Sequence, residues 1–196
     1  MSEATSPANP GKKKSSILKK VLIVLLVAIA AIVGIIAAQP NEFRIVRSAT
    51  MAAPQSEVFA QVNDFHHWND WSPWAKLDPA AKNTFEGPES GKGAVFSWDG
   101  NDKVGSGRMT ILESRPSELV QIKLEFFRPM EDESTTKFTF KPEGEKTQVT
   151  WDMSGRHTFM SKAFCMLMNM DKIVGGQFEE GLSNMKAIVE KPSRQD

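Results

Sequence analysis

An uninterrupted run of eighteen apolar residues near the N-terminus constrains this chain more than any other feature. Residues 21–38 (VLIVLLVAIAAIVGIIAA) contain no polar side chain. As a helix the run would be about 27 Å long at roughly 1.5 Å per residue, which is enough to cross the hydrocarbon core of a bilayer. A helix buried in a soluble protein would be expected to keep a polar stripe, and this run has none. The run therefore predicts one transmembrane helix.

A cleaved secretory signal is the competing interpretation of this run. Lysines precede it, and Ala28-Ile29-Ala30 matches the small-x-small pattern of a cleavage site. That tripeptide lies inside the apolar run, however, and the run is longer than the roughly 7–15 residues of a signal's apolar region. Cleavage after Ala38 would place Ile36 where a small residue is required. The lengths favour an uncleaved anchor.

The balanced charge of the whole chain, 24 Lys+Arg against 24 Asp+Glu, hides two differently charged parts. Residues 1–20 carry five lysines and one acid, which leaves 19 basic and 23 acidic side chains for the remainder, a net charge of −4. Basic residues before the span place the N-terminus in the cytoplasm by the positive-inside tendency. The following domain would then be extracytoplasmic, in the periplasm or on the outer surface if the source is bacterial. Its lack of a basic surplus argues against a nucleic-acid partner.

Short strand patterns and turns alternate in the part of the chain that follows the apolar run. Residues 43–51 suit a first strand, and a short amphipathic helix follows Pro54. Between residues 83 and 154, runs of strand-forming residues are separated by the turn sequences GPESGKG, DGND, RPMED and PEGE, which predicts antiparallel hairpins. Three hairpin pairings keep the apolar residues of four strands on one face: Ser114 with Leu119, Arg128 with Ser134, and Lys141 with Lys146.

Apolar residues between 161 and 191 recur at helical intervals, so this segment predicts a long C-terminal helix with Gly175-Gly176 inside it. A sheet with one apolar face and an amphipathic helix can bury their apolar surfaces against each other, which indicates an α+β domain. The predicted division is a disordered basic cytoplasmic arm at 1–20, a transmembrane helix at 21–38 and one domain at 39–196.

Three motifs carry a family resemblance: APQSEVFAQVNDFHHWNDWSPWAKLDP at 53–79, FEGPESGKGAVFSW at 85–98 and MNMDKIVGGQFEEGLSNMK at 168–186. With them, residues 43–191 resemble the START-like (SRPBCC) helix-grip superfamily, in particular its bacterial polyketide cyclase/dehydrase-like branch. The resemblance implies a curved antiparallel sheet of about seven strands wrapped around the long C-terminal helix. It also implies an apolar ligand held between sheet and helix. The branch includes enzymes and lipid carriers without a shared catalytic set, so no catalytic residue is carried over.

The first functional hypothesis is membrane-anchored binding of a hydrophobic small molecule, such as a lipid, an isoprenoid or a polyketide-like compound. Gly107 and Gly175-Gly176 are interpreted as openings beside large side chains, and methionines make an adaptable apolar lining. The candidate ligand-binding residues are Phe96, Trp98, Gly107, Leu124, Phe126, Phe138, Trp151, Met153, Met168 and Val174.

The second hypothesis is an enzyme of the cyclase/dehydratase or hydrolase type, resting on two carboxylates. In the predicted register Glu113 shares the apolar face of the sheet, and Asp171 lies on the apolar stripe of the C-terminal helix. A carboxylate beside an apolar cavity can have a raised pKa and act as a general base. In the alternative, non-catalytic interpretation, Glu113 and Arg128 lie at the rim of the apolar face, and Asp171 accepts a structural hydrogen bond.

The third hypothesis is a ligandless interaction module that presents Trp68, Trp71 and Trp74 to a bilayer or to a protein partner that the sequence does not identify. Three histidines, two of them adjacent, give little basis for a metal site, and Cys165 in the apolar context KAFCMLM indicates inert packing. We expect no metal and no cofactor.

The topology gives a prediction that can be tested in cells. A reporter that is active only in the cytoplasm should be inactive when fused after Asp196, because the predicted span places everything C-terminal to residue 38 outside the cytoplasm. The same reporter fused before the span provides the control. Cytoplasmic activity of the C-terminal fusion would contradict the topology.

Overall fold

The computed structural model describes residues 11–157, 161–163 and 169–191, with side chains from residue 17 onwards. The chain divides after Pro40 into two compact units. The first contains helix α1, Gly11–Ala37. α1 begins ten residues before the apolar run, so residues 11–20 are helical, since lysine continues a helix readily. Its stretch Ile17–Ala37 has a mean hydropathy of 3.0 and is long and apolar enough for a membrane span or a signal sequence.

The second unit consists of one sheet, several short helices and a long C-terminal helix. After β1 the chain forms the short helices α2, α3 and α4, with a 3₁₀ turn between α2 and α3, and then six consecutive strands. The elements are β1 (Glu42–Met51), α2 (Gln55–Asn63), the 3₁₀ turn (Phe65–His67), α3 (Trp68–Trp71), α4 (Pro73–Leu77), β2 (Lys82–Glu86), β3 (Val95–Asp99), β4 (Ser106–Arg115), β5 (Leu119–Arg128), β6 (Asp132–Glu143), β7 (Lys146–Arg156) and α5 (Met170–Val189).

All strand pairs are antiparallel, and the seven strands lie in the order β1-β7-β6-β5-β4-β3-β2. β1 therefore pairs with β7 at one edge, and the chain continues as a meander to the other. The seven-stranded antiparallel sheet with its C-terminal helix confirms the predicted α+β class and the helix-grip architecture. We call the face of the sheet that packs on α5 and the Trp-rich turn the inner face.

The strand register differs from the predicted one in an instructive way. Between β6 and β7, Trp151 lies opposite Phe138 rather than Thr136, because the hairpin closes tightly around Gly144, whose φ is +63°. Between β5 and β6, Thr136 lies opposite Ile122 rather than Phe126. Both shifts move the pairing by an even number of residues. Because side chains alternate with a period of two, the predicted apolar face is preserved.

The β4–β5 pair contains an odd shift, which changes the position of Glu113. Ile111 pairs with Ile122 as predicted, but a bulge follows and Glu113 then pairs with Gln121. Gln121 belongs to the outer, polar face, since its neighbours Val120 and Ile122 are both fully buried. The prediction that Glu113 shares the apolar face is therefore wrong, and the cause is the extra residue of the bulge.

α5 is capped by Asn169, whose side chain accepts a hydrogen bond from the Lys172 N–H at 3.0 Å. The helix therefore begins at Met170, because an asparagine in this position starts a helix. The expectation of one continuous helix from about Ser161 is wrong. α5 lies alongside β1. Arg47 of β1 binds Asp171 in the first turn of α5, and the N–H of Ala52, just after β1, binds Glu190, just after the last turn of α5.

An aromatic cluster fills the middle of the contact between sheet and helix. Trp151 of β7 stacks on Phe178 of α5 with ring centroids 4.0 Å apart and planes only 8° apart. Trp68 and Trp71 pack edge-on against Trp151 and are 5% and 0% exposed. Their indole N–H groups donate to the carbonyls of residues 62 and 61, each at 3.0 Å. The hypothesis of a surface that presents these two indoles is therefore wrong, because both are core residues.

Two glycines give matched stability predictions. A Cβ atom on Gly107 would collide with the Trp98 ring and the Glu125 carbonyl oxygen, whereas a Cβ on Gly176 of α5 would meet no atom within 4 Å. Gly107→Ala should lower the free energy of unfolding by about 1–3 kcal/mol through overpacking. Gly176→Ala should raise it by about 0.5–1 kcal/mol, because alanine favours the helix. Urea unfolding monitored by circular dichroism measures both changes. Equal changes for the two variants would contradict the packing described for Gly107.

Candidate functional site

Burial decreases along the inner face from one end of the sheet to the other. Near the β6–β7 turn, three side chains of the inner face have no contact with solvent: Met51, Val149 and Phe138 are all fully buried. Towards the start of β1 several apolar side chains are only partly buried, although Ile45, Phe96 and Met109 in the same rows remain buried. We call this region the half-buried end; it consists of Phe43, Trp98, Leu124, Phe126 and Met153. These residues lie between Arg47 and the start of β1. Because Arg47 binds Asp171 in the first turn of α5, the half-buried end is next to the N-terminal end of α5, where Val174 is also partly buried.

The structure separates the predicted ligand-binding residues into two groups. Phe138 and Trp151 belong to the fully buried aromatic cluster, where their rings lie 4.7 Å apart, and they leave no exposed surface for a ligand. The others share the inner face near the half-buried end or the first turns of α5: Phe96, Trp98, Gly107, Leu124, Phe126, Met153 and Val174. Met168 lies outside the described residues.

The glycines that were interpreted as openings are closed by side chains of this chain. The ring of Trp98 lies on Gly107, its partner across β3 and β4. The guanidinium of Arg47 lies on Gly175, which is buried. Of these three glycines, Gly176 alone faces open space. The two buried glycines therefore allow close packing, and the prediction that they mark openings is wrong for both positions.

Two polar atoms on the inner face have no hydrogen-bond partner in the described structure. They are the hydroxyl oxygen of Ser134, a residue only 6% exposed, and the indole nitrogen of Trp151, which is 3% exposed. Ser134 pairs with Leu124 on one side and with Gly155 on the other, so it lies in the same row as Phe43. A buried polar group without a partner is unusual and calls for an explanation such as a water molecule or a ligand.

Arg47 joins the start of α5 to the edge strand β1. Its five N–H donors bind both carboxylate oxygens and the carbonyl of Asp171, Glu179 Oε1 and the Val46 carbonyl, at distances of 2.6–3.1 Å. This set uses the complete donor capacity of a guanidinium group. The arginine therefore fixes the helix on the sheet and is not available to an anionic ligand.

Neither candidate catalytic carboxylate has the environment of a general base. The hydrogen bonds from Arg47 hold the pKa of the Asp171 carboxyl below its ordinary value, and 64% of its side chain is exposed. Glu113 lies on the outer face, with Oε1 3.2 Å from Arg115 Nε. A base that works near neutral pH needs a raised carboxyl pKa, so the structure contradicts this expectation for Asp171.

A separate small cleft lies beside the β2 edge of the sheet. Its volume is about 190 Å³, below the roughly 300–1,000 Å³ of typical small-molecule sites. His66 stacks on Phe85 there at 4.1 Å, and its ring nitrogen is 2.7 Å from Asp64. Burial raises the pKa of the Asp64 carboxyl, but hydrogen bonds from His66 outweigh it, so the net pKa is lowered. His66 is therefore already in contact with Phe85 and Asp64, and the cleft beside it is small.

The sequence reasoning missed Ser134 and Arg47. Ser134 and Thr136 occupy positions that the alternation assigns to the apolar face, ahead of Phe138 and Phe140 in the same strand. A polar residue in an apolar alternation is a visible signal, and it was available in the sequence. Arg47 gave a similar signal, because it alternates with Ile45 and Ala49 in β1.

The fold and the partly open apolar inner face define a helix-grip domain. Residues 42–190 match the family described as polyketide cyclase/dehydrase and lipid transport. The chain belongs to this family, which confirms the resemblance. No curated protein matches the chain by sequence.

Solved structures share the fold at low sequence identity. Protein CV1439 from Chromobacterium violaceum is 16% identical with a TM-score of 0.53, covering 78% of this chain and 99% of its own. CalU16 from Micromonospora echinospora is 18% identical with a TM-score of 0.52, covering 78% of each chain. The di-domain ARO/CYC StfQ from the steffimycin biosynthetic pathway is 12% identical with a TM-score of 0.55, covering 76% of this chain and 51% of its own. CV1439 consists almost entirely of the matched region, so in that protein the fold has no further domain.

The Arg47–Asp171 contact gives a pH prediction. The folded-state pKa of Asp171 is lowered, so the ion pair stabilises the fold above the ordinary carboxyl pKa of about 3.9, and this contribution is lost as the pH falls through the folded pKa. Asp171→Asn should therefore lower the thermal midpoint at pH 7, and the difference from the unsubstituted chain should shrink between about pH 5 and pH 2.

Glu180→Gln is the matched control, because the carboxylate of Glu180 is exposed on the same helix and is 3.8 Å from Lys76. It should change the midpoint less than Asp171→Asn at pH 7. A difference for Asp171→Asn that grows on acidification would contradict the lowered pKa.

Proposed function

We propose that the domain binds a hydrophobic small molecule at the half-buried end of its inner face. The observation that carries this proposal is the change in burial along the inner face, from fully buried at Phe138 to half-buried at Leu124, Phe126 and Met153. Apolar side chains that remain partly exposed in a contiguous patch mark a surface that gains free energy by covering.

The chemistry of this region suits an apolar ligand. Trp98 and Phe126 pack edge to face at 5.7 Å, and Met153 adds a flexible thioether that adapts to irregular shapes. The indole N–H of Trp98 already donates to the Val104 carbonyl at 3.0 Å, so the aromatic surface, and not the polar edge, is left for a ligand. The residues assigned to the site are Trp98, Leu124, Phe126 and Met153 of the sheet, and Val174 of α5.

The family supports this function in general terms, since its description names both cyclase/dehydrase activity and lipid transport. StfQ, a neighbour in structure, is an ARO/CYC protein of a biosynthetic pathway. We assign binding rather than catalysis to this chain, because the exposed and ion-paired carboxylates Asp171 and Glu113 give no support for a base.

We further propose that the domain is held at a membrane by residues 21–38, with residues 1–20 in the cytoplasm and residues 39–196 outside it. The support is the length of α1 and the exposure of its apolar side chains, which is 67% for Val24 and 57% for Leu26. Exposure of such a surface to water is unfavourable, whereas its contact with the hydrocarbon core of a bilayer is favourable. The lysines before the span would face the anionic lipids of the cytoplasmic leaflet.

The binding proposal can be tested with the neutral fluorescent probe phenylnaphthylamine and residues 41–196, purified without detergent. The probe should bind the unsubstituted domain and become brighter. Val174→Phe should weaken its binding about tenfold, equivalent to about 1.4 kcal/mol, because the larger side chain occupies the partly exposed space next to the site.

Val46→Phe is the matched control, because Val46 is 37% exposed on β1 and its pairing with Asp152 places it on the outer face. It should leave binding unchanged, and both variants should keep the thermal midpoint of the domain. Absence of probe binding to the unsubstituted domain, or an equal loss in both variants, would refute the proposal.

A further inference from the structure

We infer that the ligand is an uncharged apolar molecule with a carbonyl or hydroxyl oxygen, and that the Ser134 hydroxyl binds this oxygen. The inference rests on the proposed function, because it describes the ligand of the same site. It begins from the two unpartnered polar atoms on the inner face, Ser134 Oγ and Trp151 Nε1. A folded chain normally pairs such atoms, since an unmade buried hydrogen bond is costly.

Ser134 is placed where a ligand at the half-buried end would reach it. Its partner across β5 is Leu124, and its partner across β7 is Gly155, on which the Phe43 ring lies. Leu124 and Phe43 both belong to the half-buried end. The hydroxyl therefore lies one side chain away from partly exposed apolar surface, on a strand that is hydrogen-bonded on both sides. The backbone at Ser134 is fixed by pairing on both sides, and its hydroxyl can rotate to donate one hydrogen bond or to accept one.

Trp151 marks the inner limit of the same region. The Cζ3 edge of its indole faces Gly181 of α5, at 3.0 Å from a Cβ placed there. Nε1 is on the opposite side of the ring and therefore points away from Gly181. The row of Thr136 and Met153 separates Trp151 from Ser134 on the inner face. An indole nitrogen only donates, so a ligand atom or water that reaches it must be an acceptor.

The charges around the half-buried end select against an anionic ligand. Arg47 uses all five donors on partners within the chain, and Arg128 binds Asp99, the Gly100 carbonyl and the Ser106 hydroxyl. Lys162, which is 7% exposed, donates to Asn41 Oδ1 at 2.6 Å, just before β1. Each of these cations is already engaged. A carboxylate or phosphate would have to lose its hydration and compete with the present partners of Arg47, Arg128 and Lys162, whereas a neutral oxygen needs only the hydroxyl.

Three compounds with the same ten-carbon skeleton separate the possibilities: butylbenzene, butyrophenone and phenylbutanoate. Their affinities for residues 41–196 are measured by displacement of bound phenylnaphthylamine. The ketone butyrophenone should bind about three- to tenfold more tightly than the hydrocarbon, which corresponds to one additional hydrogen bond. The carboxylate should bind more weakly than both. Ser134→Ala should abolish the advantage of the ketone and leave the hydrocarbon unchanged.

Ser154→Ala is the matched control, because Ser154 lies in the adjacent strand on the outer face, next to Gly155. It should keep the preference for the ketone. The free Ser134→Ala domain should be at least as stable as the unsubstituted one, because a methyl group replaces an unpaired buried hydroxyl.

The outcomes distinguish this inference from the proposed function. If neither neutral compound displaces the probe, the proposed function fails and the inference fails with it. If both bind equally well, or if Ser134→Ala retains the preference for the ketone, the binding function stands and the role of Ser134 is wrong. If Ser134→Ala destabilises the free domain without changing any affinity, the hydroxyl binds an ordered water only, and the inference is likewise wrong. Tightest binding of phenylbutanoate would overturn the selection for an uncharged ligand.

Discussion

The contact between one helix and the apolar face of the sheet determines the rest of this domain. Trp151 and Phe178 stack at 4.0 Å, and α5 approaches the sheet this closely because Gly175 and Gly181 carry no side chain at the crossing. Arg47 then fixes the first turn of the helix to β1. These contacts close the middle of the inner face completely. The surface towards the start of β1 is left half-buried, and this difference along one face is what gives the domain a candidate site.

The same packing decides which chemistry the candidate site can offer. Arg47 is paired with Asp171, and Arg128 with Asp99. Among the described residues, the inner face also carries two buried polar atoms without a hydrogen-bond partner, Ser134 Oγ and Trp151 Nε1. These observations are the basis for proposing a neutral amphiphile as the ligand; a general base would need a carboxyl pKa shifted towards neutrality, and that of Asp171 is lowered.

Much of the fold could be predicted because alternation with a period of two tolerates even errors of register. Thr136 was expected opposite Trp151 and lies opposite Met153, yet both arrangements keep the same residues on the inner face. The bulge after Ile111 shifts the register by one residue, an odd number, and therefore places Glu113 on the outer face. Periodicity carries no signal for a single inserted residue. The glycines were recognised as special positions, but whether a glycine opens a space or admits a neighbouring side chain depends on Trp98 and Arg47, which are distant in sequence.

We propose that ligands bind at the half-buried end and not elsewhere on the domain. Methyl NMR spectra of residues 41–196, titrated with butylbenzene, test this claim most directly, because methyl groups report at both ends of the inner face. Binding at the half-buried end should give the largest shift changes at Leu124, Met153 and Val174, and little change at the fully buried Met51 and Val149. Shift changes confined to Val95, beside the His66–Phe85 cleft, or a spectrum that does not respond to the ligand, would contradict it.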